Sequence, residues 1–272
     1  MRAMLKLELK RILKKIKQYD IIVIARHISP DPDAIASQIS LRDAIKLTFP
    51  KKEVYAVGTS VSKFKYYGNL DRIDETKFEQ DALLIACDVP NASRIDGVDK
   101  SAFKEILKID HHPSEEEFGE CDWVDETSSS TCQMIIELLL DTGMKFDRKI
   151  AENLYLGVVS DSDRFLISYT SAKTFNLVSR LIEKSQIDFT NLYPYLYERP
   201  LQEIKFHGYL SENLNVSENG FGYIDITPEI LKKYGVDPST PSNIYLSAIA
   251  FCDSVKPSLY EFQTSEVVIK SS

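Results

Sequence analysis

Three short apolar runs of this chain each end in a motif that is rich in aspartate or histidine. Residues 21–25, 82–87 and 106–109 consist mostly of aliphatic side chains, which is typical of strands that are buried on both faces. Segments with apolar residues at helical spacing alternate with these runs. The alternation predicts an α/β fold with a mainly parallel sheet and helices on both faces.

The first two-thirds of the chain contain the predicted sheet. Strands are predicted at residues 21–25, 54–57, 82–87 and 106–109, and helices at residues 32–48, 131–140, 150–160 and 171–183. The basic segment 1–17 has apolar residues at helical spacing, and we expect it to pack on the sheet. A transit peptide or a membrane-surface helix is the alternative interpretation of that segment.

A smaller α+β unit is predicted in the last third of the chain. Residues 186–200 have the composition of a linker, and a helix is predicted at residues 201–214. Further predictions are strands at residues 221–226, 244–251 and 265–270, and a short helix at residues 228–234. The predicted organisation is therefore a first domain at 1–185, a linker at 186–200 and a second domain at 201–272.

Charge and composition argue against several classes of function. The net charge is -8 and the pI is about 5.2, whereas proteins that bind long nucleic acids usually have a basic surface. We therefore expect no long duplex as a partner. The sequence has no apolar run long enough to span a membrane and no recognisable signal peptide. The four cysteines lack a CxxC spacing, which predicts reduced thiols in a cytoplasmic protein.

Histidine is scarce, and three of the four histidines lie in two acidic motifs. His27 opens the segment 27–33 (HISPDPD), and residues 110–112 read Asp-His-His. Asp88 and Asp161 end a predicted strand and a predicted helix. Ligands of open α/β sheets bind at the carboxyl ends of the strands, so these motifs are expected to meet at one edge. Imidazole and carboxylate groups are ligands of divalent cations, and two-cation sites mostly hydrolyse phosphate esters.

The four motifs, taken in order, resemble those of the DHH phosphoesterases. They are the pattern HxxPDxDAIxS at residues 27–37, the isolated Asp88, the triplet 110–112 and the segment 157–161 (GVVSD). Residues 94–95, 126–131 and 161–165 resemble the branch of the family that degrades nano-RNA and dephosphorylates adenosine 3',5'-bisphosphate (pAp). A single motif of this kind is usually a polar turn or a helix cap, but the joint occurrence of four makes that interpretation weak.

The resemblance implies roles for six metal ligands. It implies that His27, Asp31 and Asp88 bind one ion, and that the second ion is bound by Asp33, Asp88, His111 and Asp161. Asp88 would bridge the two ions, for which Mn²⁺ is the family expectation and Mg²⁺ is also compatible. Such a pair of ions would activate water to hydroxide for attack on phosphorus.

Further residues are predicted to contact the substrate or to support the site. The resemblance implies that His112 faces the phosphate and that Asp110 orients a histidine, although a structural role for Asp110 is equally open. Arg94 and Arg164 could hold phosphate or form ordinary surface ion pairs. Residues 128–131 are expected to cap a helix, with a phosphate contact as the alternative. His207 is expected to be a filler of the core or surface, and Asp163 stands where the family motif has glycine.

The C-terminal part departs from the family pattern. No glycine follows Gly235 and no histidine follows His207, so the glycine-rich GGGH motif of the substrate domain is absent. We therefore expect residues 201–272 to be a partial DHHA1-like domain. The predicted function is hydrolysis of short oligoribonucleotides or pAp in the cytoplasm, away from membranes, with a homodimer as a possible assembly. The alternatives are a phosphodiesterase of cyclic or linear dinucleotides, a pyrophosphatase, a nucleotide-binding module with little turnover, and a chain that needs a partner.

Overall fold

A computed structural model of the chain describes residues 2–74, 81–113, 116–218, 222–237, 260–264 and 267–270. Contacts between Cα atoms divide the chain into two compact units, Met1–Leu196 and Tyr197–Ser272. The first unit includes residues 186–196 of the segment predicted to be a linker, and residues 189–192 form a 3₁₀ turn there. The predicted domain boundaries stay a prediction.

The first unit contains a sheet of five parallel strands in the order β2-β1-β3-β4-β5. This confirms the α/β class. The strands are β1 (Ile21–Ala25), β2 (Glu53–Ala56), β3 (Ala82–Cys87), β4 (Glu105–Asp110) and β5 (Cys121–Val124). Strand β5 was not predicted, because its four residues alternate between buried and half-buried positions and include Asp122. Such a short alternating strand lacks the continuous apolar run that marks β1 and β3.

Five helices of the first unit follow the predicted pattern closely. The prediction at residues 32–48 is confirmed, and the others differ by a few residues at their ends. The helices are α1 (Arg2–Gln18), α2 (Pro32–Thr48), α3 (Thr131–Thr142), α4 (Arg148–Asp161) and α5 (Ala172–Ser185). A very short helix, α6, spans Pro194–Tyr197.

Local capping explains where the helices beside the strand ends begin. Asp31 caps α2, since its side chain accepts a hydrogen bond from the Ala34 amide at 2.9 Å, and Pro32 occupies the first turn. Ser130 caps α3 by accepting from the Gln133 amide at 3.0 Å, which confirms the capping role predicted for residues 128–131. Both helices therefore start at fixed positions beside the sheet.

Alternate residues of the strands face two separate cores. Ile22 and Ile24 of β1 lie in the larger core, which α1 to α4 also line, and the buried Leu9, Ile12 and Ile16 of α1 confirm that this helix packs there. Val23 and Leu84 face the smaller core, which is completed by residues in or beside short 3₁₀ turns, among them Ile95, Val98 and Phe103. The sheet is thus buried on both sides, as its composition predicted.

Two further features are the apolar character of the helices and the state of the cysteines. Within the described residues, no helix has the length and apolar character that crossing a membrane requires. Cys87, Cys121 and Cys132 are buried free thiols, as expected, and Cys252 lies outside the described residues.

The second unit has its own small core and a mixed sheet. Its strands are in the order β6-β7-β8-β9, and only β7 and β8 are parallel. The strand predicted at residues 244–251 lies outside the described residues, and that predicted at 265–270 corresponds in part to β9. The elements are α7 (Leu201–Glu212), β6 (Asn215–Val216), β7 (Gly222–Ile226), α8 (Pro228–Tyr234), β8 (Tyr260–Thr264) and β9 (Val267–Lys270).

Gly157 lets α4 approach α2 and α3 closely. A Cβ atom at this position would overlap Cys132 Sγ and would lie 3.0 Å from Cys132 Cβ and 3.2 Å from Ala36 Cβ. Since α4 ends at Asp161, one turn later, this close packing fixes how far that carboxylate reaches.

Replacing Gly157 with alanine is expected to destabilise the first unit by about 1–3 kcal/mol, the usual range for an overpacked core. The matched control is Gly208→Ala in α7, where an added Cβ meets nothing within 4 Å. That change should be neutral or stabilise by about 0.5–1 kcal/mol, because alanine is the better helix former. Urea unfolding followed by the fluorescence of Trp123, the only tryptophan, measures the first unit, and circular dichroism measures both units. Equal stability of Gly157→Ala and the wild type would contradict the packing argument.

Candidate metal centre

The predicted motifs follow three neighbouring strands of the sheet at their carboxyl ends. Strands β1, β3 and β4 are adjacent and parallel, so His27, Asp88 and His111 emerge at the same edge. The Asp88 amide donates to the Ile109 carbonyl at 2.9 Å, which continues the ladder between β3 and β4 by one residue. The fold therefore brings together side chains that are far apart in the sequence.

Asp88 lies at the centre of this group and is completely buried. Its Oδ2 is 3.5 Å from His27 Nε2, and its Oδ1 is 3.6 Å from His111 Nε2 and 3.5 Å from His112 Nδ1. The Thr131 hydroxyl donates to Oδ1 at 2.9 Å. The backbone of Asp88 has a positive φ of 61°, a left-handed conformation that aspartate tolerates better than most residues. Strained backbone of this kind is common at functional sites.

The six predicted ligands form two groups around Asp88. One ligand atom each from His27, Asp31 and Asp88 lies within 4.8 Å of the others. Asp33, His111 and Asp161 form a second group with one ligand atom each within 4.8 Å of the others. In this group, His111 Nε2 and Asp161 Oδ2 are 3.3 Å apart. Together the two groups contain all six predicted ligands, and their assignment as ligands stays a prediction. Asp88, which the resemblance also assigns to the second ion, belongs to the first group and lies 3.6 Å from His111 of the second. A third such group joins His112 to Asp88 and His111.

The N-terminus of α3 holds the Asp33 carboxylate. The backbone amides of Thr131 and Cys132 donate to Oδ2 and Oδ1 of Asp33, at 2.8 and 2.9 Å. A helix N-terminus stabilises negative charge, so this contact compensates in part for the complete burial of Asp33. Residues 128–131 were expected to cap a helix or to contact a phosphate, but their contact with Asp33 was not predicted, since no local signal indicates which carboxylate a helix N-terminus will face.

Both histidines of the two groups direct Nε2 towards the carboxylates. His27 Nδ1 is 2.7 Å from the Ile28 carbonyl oxygen, to which it donates, so Nε2 stays available beside Asp88. His111 forms a hydrogen bond with the backbone of Ser128, and its buried Nε2 has no hydrogen-bond partner. A bond of the second nitrogen to a carbonyl is the usual way in which proteins orient a metal-binding imidazole.

A buried arginine ties His27 to its surroundings. Arg26 is fully buried, and its guanidinium forms an ion pair with Asp96 and donates to the carbonyl oxygens of His27 at 3.0 Å and Thr59 at 2.6 Å. The ion pair and the Thr59 amide hold the pKa of Asp96 below its usual value, even though burial acts in the opposite direction. The loops that follow β1 and β2 are thus held together behind the site.

Several buried carboxylates lie close together at this site, and such a group is suited to bind divalent cations. Burial first, and then the charges of neighbouring aspartates, raise the pKa of Asp33 and of Asp161, the latter to about 10. Burial would also raise the pKa of Asp88, but His27, His111 and His112 lower it. Within the described residues, the buried Asp88 Oδ2 and His111 Nε2 lack hydrogen-bond partners. Cations would satisfy these atoms and relieve the repulsion between carboxylates, and the oxygen-rich set with two histidines suits Mn²⁺ or Mg²⁺.

His112 is held by Asp110 at the side of the cluster. Asp110 Oδ1 accepts from the His112 backbone amide at 3.2 Å and from Nδ1 at 2.8 Å. This hydrogen bond, opposed by burial, raises the pKa of His112 to about 9. Asp110 thus holds the His112 ring through Nδ1, and the predicted roles of both residues stay predictions.

The two predicted arginines have different surroundings. The carbonyl oxygen of Arg94 accepts from the Ile28 amide at 2.8 Å, and an Arg94 guanidinium nitrogen lies 3.5 Å from His27 Nδ1. Arg94 is therefore at the edge of the site. The guanidinium of Arg164 donates instead to Asp163 Oδ1, at 2.7 and 3.1 Å, and residues 163–165 all have positive φ values. His207 lies on α7 in the second unit.

Comparison with known proteins identifies relatives in sequence. The family described as "DHH family, N-terminal domain" matches residues 21–158. A Bacillus subtilis (strain 168) protein named bifunctional oligoribonuclease and PAP phosphatase NrnA is 37% identical over 236 residues, which cover 86% of this chain and 75% of the relative. A Streptococcus mutans protein named probable bifunctional oligoribonuclease and PAP phosphatase NrnA is 36% identical over 238 residues, or 88% of this chain and 76% of the relative.

A solved structure supports the fold. The exopolyphosphatase-related protein from Bacteroides fragilis superposes with a TM-score of 0.83, covering 96% of this chain and 81% of its own. The sequence identity is 22%, so this likeness concerns the architecture alone.

Titration with Mn²⁺ is expected to show two bound ions in the wild type. Asp161→Asn removes a carboxylate from one group only and should leave one ion bound. Asp88→Asn should abolish tight binding, because Asp88 belongs to the first group and its Oδ1 lies 3.6 Å from His111 Nε2 of the second. Isothermal titration calorimetry measures the stoichiometry. The control is Asp141→Asn on the surface of α3, where the carboxylate pairs with Arg180, and this variant should bind two ions. Wild-type stoichiometry in Asp88→Asn would rule out the assignment.

Proposed function

Because this chain belongs to the DHH family of hydrolytic phosphoesterases, we propose that it cleaves phosphate esters of short oligoribonucleotides and of pAp. The names of two relatives support this choice of substrates, since both are called oligoribonuclease and PAP phosphatase. The acidic net charge of -8 also favours a short substrate over a long polymer.

The observation that carries the proposal is the pair of ligand groups that meet at Asp88. Two groups that each offer three ligand atoms within 4.8 Å, and that contact each other through Asp88, have the composition of a two-cation site. Bound cations of this kind neutralise phosphate oxygens and lower the pKa of water. We propose Mn²⁺ as the ion, with Mg²⁺ as the second choice, and His27, Asp31, Asp33, Asp88, His111 and Asp161 as its ligands.

The remaining residues of the site would bind and orient the substrate. His112 would donate a hydrogen bond to a phosphate oxygen, and Asp110, bonded to its Nδ1, would keep the ring in place. Arg94, beside His27, would bind a second phosphate or the backbone of a short RNA through its planar guanidinium. The N-terminus of α3 would hold Asp33 rigidly, so that little reorganisation accompanies binding.

A substrate panel tests the function directly. The purified chain, loaded with Mn²⁺, is expected to release phosphate from pAp and mononucleotides from di- to pentaribonucleotides, and chelation should abolish both activities. Cyclic dinucleotides and pyrophosphate belong in the same panel, since preferential cleavage of one of these would reassign the substrate. Activity on linear dinucleotides without activity on longer oligoribonucleotides or pAp would reassign it as well. Nucleotide binding in calorimetry without cleavage of any phosphate ester would contradict the proposal and favour a binding module.

The two arginines provide a further test on the preferred substrate. Arg94→Met should raise KM about 10- to 100-fold, the equivalent of losing a charged hydrogen bond of about 1.5–3 kcal/mol. Arg164→Met is the comparison, and a smaller change is expected because Asp163 already engages that guanidinium. Steady-state kinetics measure both variants. An unchanged KM in Arg94→Met would exclude it as a phosphate contact.

A further inference from the structure

A completely buried lysine lies in the strand that leads to the Asp-His-His triplet. Lys108 is in β4 and its side chain has no exposed surface. Lysine is almost never fully buried unless it is paired, because removing its charge from water costs several kcal/mol in practice. This burial was not predicted, since a single lysine in an apolar run usually keeps its ammonium at a solvated position.

The contacts of Lys108 explain how its charge is tolerated. The ammonium donates to the carbonyl oxygens of Pro90 at 3.0 Å and Glu116 at 3.4 Å, and it lies 5.0 Å from the centre of the Phe118 ring. Its strand neighbour on β5 is Asp122. Lys108 thus joins the loop after β3 to the loop after β4, and both loops contribute residues to the candidate site.

One further contact connects Lys108 to His112. Residues 108 and 110 point to the same face of β4, and Lys108 Nζ is 3.4 Å from Asp110 Oδ2. The other oxygen of the same carboxylate, Oδ1, accepts from the amide and ring of His112. Asp110 is fully buried, and among the described residues its Oδ2 has no hydrogen-bond partner. The ion pair with Lys108 is therefore the contact that restrains this oxygen, while His112 holds the other.

We propose that Lys108 is a positioning residue for His112, which it holds through Asp110. The ammonium keeps Oδ2 in place, so that Oδ1 faces the ring and Nδ1 remains the bonded nitrogen. Nε2 of His112 is then left for the phosphate. This inference rests on the proposed function, in which His112 contacts the substrate.

The competing interpretation is that Lys108 only stabilises the sheet next to Asp122. Both interpretations predict some loss of stability in Lys108→Met, so unfolding measurements alone do not distinguish them. The distinction lies in coupling. If Lys108 acts through His112, its replacement has no further effect on turnover once His112 has been removed.

A double-mutant cycle on the Mn²⁺-loaded chain measures this coupling. Lys108→Met is expected to lower kcat about tenfold, at the lower end of the effect seen for residues that orient a site residue through a hydrogen bond. The stoichiometry of Mn²⁺ binding should stay at the wild-type value. In the His112→Asn background the same change should alter kcat less than about twofold. Lys104→Met, at an exposed position close to the start of β4, is the control and should have no effect in either background. Equal losses in both backgrounds would overturn the proposal.

A spectroscopic measurement tests the same contact without relying on activity. The chain has four histidines, so the ring signals of ¹⁵N-labelled protein can be assigned with single His→Asn variants in the presence of diamagnetic Mg²⁺. The His112 Nδ1 proton should be hydrogen-bonded and visible in the wild type, and shifted or broadened in Lys108→Met. An unchanged signal would overturn the proposal.

Two further outcomes remain decisive. If Lys108→Met does not fold, Lys108→Gln is taken through the same cycle and the same spectra, with the same expected results. If the wild type cleaves no phosphate ester, the proposed function fails, whereas the His112 signal still decides whether Lys108 positions that ring.

Discussion

The contacts of Asp88 are the interactions on which the rest of the site depends. A completely buried carboxylate is costly, and here it is compensated by imidazoles from the loops after β1 and β4 and by a hydroxyl of α3. Each of these partners comes from a different part of the chain, so the position of Asp88 determines how those elements meet. Its left-handed backbone aims the side chain at the point where they converge. Burial and neighbouring aspartates raise the pKa of Asp33 and of Asp161, so bound cations would favour their ionised forms, and the group suits cations for this reason.

The sequence was sufficient to predict the strands that position the motifs, because strands buried on both faces are continuous apolar runs. It also identified the six clustered residues, through four motifs in the order of the DHH family. It did not reveal β5, whose Asp122 interrupts the apolar pattern. Nor did it reveal that the amides of α3 bind Asp33, or that Lys108 is buried beside Asp110. These are long-range contacts, which depend on how the elements pack and leave no local signal in the sequence.

The surroundings of the site combine rigid packing with paired buried charges. Gly157 removes a side chain where α4 crosses its neighbours, and so brings Asp161 towards the sheet. Arg26 and Lys108 each place a buried cation against an aspartate and two carbonyl oxygens, one behind His27 and the other behind His112. Removing one partner of such a pair costs about 3–5 kcal/mol. These supports therefore limit how far the two histidines can move.

The bond between Thr131 and Asp33 closes a loop of 98 residues. A chain that has not yet closed this loop carries the same carboxylates, but it cannot present them together. An ion bound at this edge of the sheet therefore stabilises the native state over the unfolded chain and slows unfolding. The gain in the free energy of unfolding is RT ln(1 + [L]/Kd), where [L] is the concentration of the free ion and Kd is its dissociation constant. The supply of that ion would then govern both the resistance of the protein to proteases and its turnover rate. Chelation in the cell would lower both.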